Sequence, residues 1–251
     1  MKARTTARII LQTFILLIWV GVSVIAAQLI VSRIMLIFLS VNQLTQPVWS
    51  AIFAALAYTL ALLLIIFISP KLFKHTITKT NKTELGFKNW PTWTDIGLAP
   101  VGFIAYLIIA AGLVSIFSNF AWFDVSEVQE VGFNPTIVGF DRLLAFFSLI
   151  IVAPIAEEII FRGWLYGKLR HALLGLKVKH KDAVSMIIST LLVSLLFGIV
   201  HLQWNVGVNV FAMSIVMCLM REITGTIHAG ILMHMLKNGI AFYLLFVLGM
   251  V

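Results

Sequence analysis

The feature that most constrains this chain is a series of apolar runs of membrane-spanning length, each bounded by polar punctuation. They cover about 9–31, 47–68 and 96–117, a fourth opening near 143 and passing Pro154, a fifth opening near 183, then about 208–220 and 227–250. A bilayer core of about 30 Å takes roughly 20 helical residues to cross. Backbone polar groups inside it must be satisfied within the segment, which leaves helices or closed barrels. Runs this long predict helices, so the expected fold is all-α, a polytopic transmembrane bundle of seven to eight helices. The stretch 33–41 reads as a short interfacial helix or part of an eighth segment. The sixth run, about 13 residues, would span only roughly 20 Å, which places the connection 203–207 inside the bundle.

Composition agrees. Of 251 residues, 61% are apolar and 11% charged, against roughly 45–50% and about 25% in soluble domains. This excludes a disordered chain, a disulfide scaffold and an ordinary cytosolic enzyme. The single cysteine, Cys218, allows no intrachain disulfide. The net charge of +8 falls mainly between the apolar runs, where basic residues set orientation. No basic stripe interleaved with aromatics suggests nucleic acid. Lys2, Arg4 and Arg8 predict a cytoplasmic N-terminus. They resemble a signal-peptide n-region, but the run after them exceeds the usual 7–15 residues, so a retained first span is favoured over cleavage near Ala26-Ala27. The loop with Lys71, Lys74, Lys79, Lys82 and Lys88 falls inside, the acidic loop with Asp124, Glu127 and Glu130 outside, and Lys177, Lys179 and Lys181 inside again. A multi-pass protein of the cell membrane is expected.

Ionisable groups within spans are costly and mark function. The fourth span carries Ala153-Pro154-Ile155-Ala156-Glu157-Glu158, then Arg162; the fifth ends in Phe197 and His201; the last carries His234-Met235-Leu236-Lys237-Asn238. On a helix Glu158 and Arg162 are i and i+4 and can pair, while Glu157 points about 100° away. That separates a held carboxylate from a working one. His234 and Asn238 share a face by the same spacing. Glu157 and His201 are equidistant from the basic turn around Lys179, so an antiparallel hairpin sets them level. This arithmetic implies a long fourth helix whose lower part, 164–174, is amphipathic, with Lys168 and Arg170 snorkelling. Packing explains some of these groups singly: Glu158 and Arg162 as a structural ion pair, His201 or the His234–Asn238 pair as interhelical hydrogen bonders. A bundle does not need all of them. Trp90, Trp93, Trp122 and Trp204 read as interfacial anchors, His75, His171 and His180 as solvated loop residues, His228 as the start of the last helix, and the methionines of 213–220 as core filler.

Three patterns, Glu157-Glu158-x-x-x-Arg162, Phe197-x-x-x-His201 and His234-x-x-x-Asn238, occur in order on separate apolar segments. Together they resemble the CPBP intramembrane proteases, also called the CAAX protease and bacteriocin-processing (Abi) family. The resemblance covers about 143–245, so residues 1–142 are taken as N-terminal transmembrane helices and 143–251 as a catalytic core. It implies an endopeptidase acting on a membrane-associated protein or peptide substrate, prenylated in some members. Glu157 would be the general base, His201 would help position the water, and His234 and Asn238 would donate to the oxyanion. Glu158 and Arg162 would hold the Glu157 helix. A metal version competes: Glu157, His201 and His234 form a His₂Glu set of the kind that binds zinc with one open position, although H-E-x-x-H is absent. Two other readings stay open, a non-catalytic immunity or scaffold protein and a proton-coupled transporter. Neither the acid–base cluster's confinement to one half nor the intact motifs favour them.

Overall fold

The computed structural model describes residues 6–74, 76–127 and 129–250; Lys2, Arg4 and His75 lie outside the described residues. Among these, the chain forms eight helices and no strand: α1 Thr6–Phe38, the single turn α2 Val41–Leu44, α3 Pro47–Leu72, α4 Trp93–Phe117, α5 Gly139–Leu173, α6 Lys181–Ile199, α7 Trp204–Thr224 and α8 His228–Val247. All but α2 are long and apolar enough to cross a membrane. The chain is an integral multi-pass membrane protein.

Several boundaries differ from the hydropathy reading. The 33–41 stretch is no separate segment, because α1 runs on to Phe38. The sixth span is not short: α7 has 21 residues and begins at Trp204, so the link from α6 is confined to 200–203. Its polar first turn hid it from hydropathy. Asn205 and Asn209 are nevertheless helical, Asn209 donating to the Asn205 carbonyl at 2.8 Å and Asn205 to the Glu127 carbonyl at 2.5 Å.

Two prolines set wide π-helical turns. In α5, residues Phe147–Val152 bond in i→i+5 register, with the Ala153 N–H donating to the Ser148 carbonyl. The next donor in that register would be residue 154. It is proline, with no N–H, so the Leu149 carbonyl is left over. In α3 the Ser69 N–H donates to Leu64, Pro70 follows, and the Ser69 hydroxyl takes up the spare Ile65 carbonyl at 2.5 Å. Wide turns of this kind are frequent at functional sites.

The helices pack most closely as α6 on α7, α7 and α8 on α4, and α1 on α3, with α3 and α8 also lying against α5. Gly198 and Gly207 let α6 and α7 nearly touch, since a Cβ on Gly198 would meet the Gly207 carbonyl at 2.8 Å. At the end carrying the basic loops, Lys168 and Arg170 do not snorkel. Lys168 is buried and donates to Glu84 and Thr78. Arg170 bonds Glu222 and Asp182, and Tyr166 also donates to Glu222 at 2.7 Å. Charge desolvation explains the difference: the α3–α4 loop and α7 bring carboxylates to these cations, so they need not reach for water.

Candidate functional site

α5 supplies two adjacent carboxylates with different surroundings. Glu158 is 0% exposed. Its Oε1 accepts from Arg162 Nη1 at 2.9 Å and from His234 Nδ1 at 3.1 Å. Gly230 on α8 allows this approach, since a Cβ there would lie 3.1 Å from Glu158 Oε2. Arg162, 1% exposed, lies 4.2 Å over the Phe197 ring. Glu158 and Arg162 are thus a pair buried in the bundle, braced by α6 and α8.

Glu157 is the carboxylate left available. Its side chain is 16% exposed. Oε1 accepts from the Tyr58 hydroxyl of α3 at 2.5 Å. Oε2 faces His234 Nε2 at 3.8 Å, too long for a direct hydrogen bond. His234 therefore stands between the two carboxylates, its Nδ1 spent on Glu158 and its Nε2 turned to Glu157.

His201 lies past the end of α6. Its Nδ1–H donates to the Phe197 carbonyl at 2.7 Å, which leaves Nε2 as the free lone pair of the neutral ring. Burial pushes this imidazole below its ordinary value, while the charge of Glu157 pulls the other way. His201 and Glu157 are therefore within electrostatic reach, as the hairpin arithmetic predicts. Phe197, the first residue of its motif, packs its ring against Phe161, His201 and His234, with centroids 4.8, 5.0 and 6.1 Å away.

Asn238, one turn beyond His234 on α8, donates through Nδ2 to the Leu149 carbonyl at 2.9 Å, the acceptor released by Pro154. One of its two amide hydrogens is thus committed to α5. The six residues singled out from sequence gather at the meeting of α5, α6 and α8.

Tyr58 is the partner that motif reasoning missed. Its signal was a tyrosine within a mainly apolar span, where a hydroxyl needs a partner. Of the three groups suggested for zinc, each imidazole presents Nε2 and Glu157 one oxygen. Among the described residues, however, no three or more His, Cys, Asp or Glu side chains are gathered closely enough to hold a metal ion. The set does not fit a metal as it stands.

These features define a membrane-embedded helical bundle that buries a carboxylate–imidazole cluster where three helices meet. Residues 139–240 match the family described as type II CAAX prenyl endopeptidase Rce1-like. Over this segment the chain is similar to the CPBP/CAAX protease family. The membrane-embedded CAAX protease MroQ of Staphylococcus aureus (strain USA300) is 31% identical over 93 residues, 37% of this chain and 36% of that protein. The match thus spans about a third of the curated relative's length. No solved structure matches.

Proposed function

We propose that the protein is an intramembrane endopeptidase that hydrolyses a peptide bond in a membrane-associated, prenylated or otherwise lipid-anchored protein or peptide. The observation that carries this reading is the division between the carboxylates: Glu158 is locked by Arg162 and His234, while Glu157 stays partly open beside two imidazoles. The family match over 139–240 and the motif order support it.

In this mechanism Glu157 takes a proton from water while the bare Nε2 of His201 accepts the other water hydrogen. The water oxygen attacks the scissile carbonyl carbon. His234 Nε2–H and the free amide N–H of Asn238 donate to the oxyanion. With Nδ1–H spent on Glu158, donation from Nε2 requires the His234 ring to carry both protons. The intermediate collapses as Glu157 returns its proton to the leaving nitrogen, releasing an amine and a carboxylic acid. No step passes through a metal. The catalytic core is assigned to 143–251, with the N-terminal spans of 1–142 packed around it and the N-terminus in the cytoplasm of a cell-membrane protein.

The test compares peptides released from membranes holding wild type, Glu157→Gln or His201→Ala. Peptides that vanish in both variants support the reading. Release at the wild-type rate by both overturns it and points to a scaffold.

A further inference from the structure

A separate cavity lies at the end of the bundle that carries the basic loops. It holds about 470 Å³ between the 78–88 loop, the last turns of α5 and the end of α7, a volume in the range of small-ligand sites. Neither Glu157 nor Glu158 lines it. Its lining on α5 begins at Gly163, six residues and about 9 Å along the axis from Glu157. Four cations line it, Lys88, Lys168, Arg170 and Arg221, against two carboxylates, Glu84 and Glu222. Both carboxylates are already used: Glu84 pairs with Lys168 at 3.0 Å and Glu222 with Arg170 at 2.9 Å. Arg221 donates to two carbonyls of the loop, Glu84 at 2.7 Å and Leu85 at 3.3 Å. Among the described residues, no carboxylate lies within ion-pair distance of Arg221 or Lys88. Two more lining groups make no hydrogen bond among the described residues, the indole N–H of Trp164, a residue 0% exposed, and the hydroxyl of Thr80. Buried donors without a partner are rare, and each calls for an acceptor. Gly86 and Gly225 have positive φ, and a Cβ on Gly86 would collide with Arg221, while one on Gly225 would crowd Lys88 Nζ at 3.2 Å. The two uncompensated cations are thus the ones that glycines make room for.

We propose that this cavity binds a phosphate group between Lys88 and Arg221, and that the anionic headgroup of a membrane lipid supplies it. A tetrahedral phosphate presents oxygens in several directions. That suits donors arriving from three elements, Lys88 on the loop, Arg221 on α7 and Trp164 on α5, better than a planar carboxylate does. The depth points to lipid. Trp90 and Trp93, two and five residues after Lys88, are 89% and 87% exposed, and exposed tryptophans of this kind sit at headgroup level. Basic pockets between membrane helices take anionic headgroups. A zwitterionic headgroup would bring its own cation to a cavity whose carboxylates are both spent. The site stands apart from the peptidase chemistry and does not depend on it.

The experiment uses the full chain in a neutral detergent. It is titrated with dioctanoyl phosphatidylglycerol or dioctanoyl phosphatidylcholine, and bound lipid is counted by native mass spectrometry. Free glycerol 3-phosphate serves as the competitor. Wild type is expected to bind one phosphatidylglycerol in preference to phosphatidylcholine. Lys88 is exposed, so Lys88→Gln leaves the fold intact. It is expected to weaken that binding about fivefold, the value of one basic residue beside anionic lipid, and Lys88→Arg to restore it. Lys82→Gln removes the same charge from the same loop but outside the cavity, and is expected to bind as wild type does. Phosphatidylcholine bound as tightly as phosphatidylglycerol, or Lys88→Gln binding as wild type does, overturns the proposal. So does an equal loss in Lys82→Gln, which would mean attraction by the basic surface as a whole. If glycerol 3-phosphate at equal concentration displaces the lipid, and does so less well in Lys88→Gln, the site belongs to soluble phosphate esters and the lipid source is overturned.

Discussion

The hydroxyl of Tyr58 donates to Oε1 of Glu157 across 2.5 Å, so a helix outside the family-matched segment holds the carboxylate at the centre of the site. A hydrogen bond to a charged acceptor is worth about 1.5–3 kcal/mol, roughly 10- to 150-fold in rate if its loss misplaces the base. Tyr58→Phe keeps the ring and its packing. It is expected to lower kcat by that factor with KM within about twofold, because the lost contact orients Glu157 and does not touch substrate. Steady-state kinetics on one peptide checks it. A rise in KM at constant kcat would place Tyr58 in substrate binding instead.

The two neighbouring carboxylates should separate activity from stability. In Glu157→Gln the amide oxygen can still accept from Tyr58, so melting is expected to be almost unchanged while activity falls by about 10²- to 10⁴-fold, the usual range for a lost general base. Arg162→Ala strands Glu158 in a site with 0% exposure. Removing one partner of a buried pair typically destabilises by about 3–5 kcal/mol, so the melting temperature in nanodiscs should drop well below that of Glu157→Gln. Equal melting of both variants would contradict the division of roles.

His201 predicts the acid side of the pH profile. Its Nδ1–H is fixed on the Phe197 carbonyl, so only the neutral ring offers Nε2 as an acceptor. Burial, opposed by Glu157, sets its protonation below the ordinary histidine value of 6.5. Activity should therefore hold as pH falls through 6.5 and decline only below it. The sign for stability is the same: a depressed histidine contributes fully above its unfolded value, and that contribution is lost as pH falls through the folded one. Rates measured within minutes of a pH jump, with melting followed in parallel, separate the two. An acid limb above 6.5 would mean that another group controls the rate.

Much of this arrangement was legible in the chain. The seven long helices follow from apolar run length, and the different surroundings of Glu157 and Glu158 follow from helical phase and the i+4 partner Arg162. Two kinds of information were not legible. Asn205 made the start of α7 look like a connection, because hydropathy cannot see that its amide is satisfied by the Glu127 carbonyl. Lys168 and Arg170 looked free to snorkel because their partners, Glu84 and Glu222, are 84 and 52 residues away. Pro154 lies between these cases. It is plain in the sequence, yet its effect on Asn238 emerges only through the π register that orphans the Leu149 carbonyl.

Metal dependence is open to a direct test. A zinc shared by Glu157, His201 and His234 would need each donor atom about 2.0–2.2 Å from the ion, and among the described residues these groups are not gathered into such a set. Glu157 already has a neutral partner in Tyr58 on one oxygen and faces His234 on the other at 3.8 Å. The Phe197 and Glu158 bonds occupy the two Nδ1 atoms, so zinc would need both Nε2 atoms and a Glu157 oxygen drawn together from where they now stand. Activity is therefore expected to survive exhaustive dialysis against a chelator, with purified active protein carrying zinc well below one ion per chain. Loss of activity on chelation, restored by one equivalent of zinc and absent from Glu157→Gln, would replace the glutamate mechanism with a metal-assisted one.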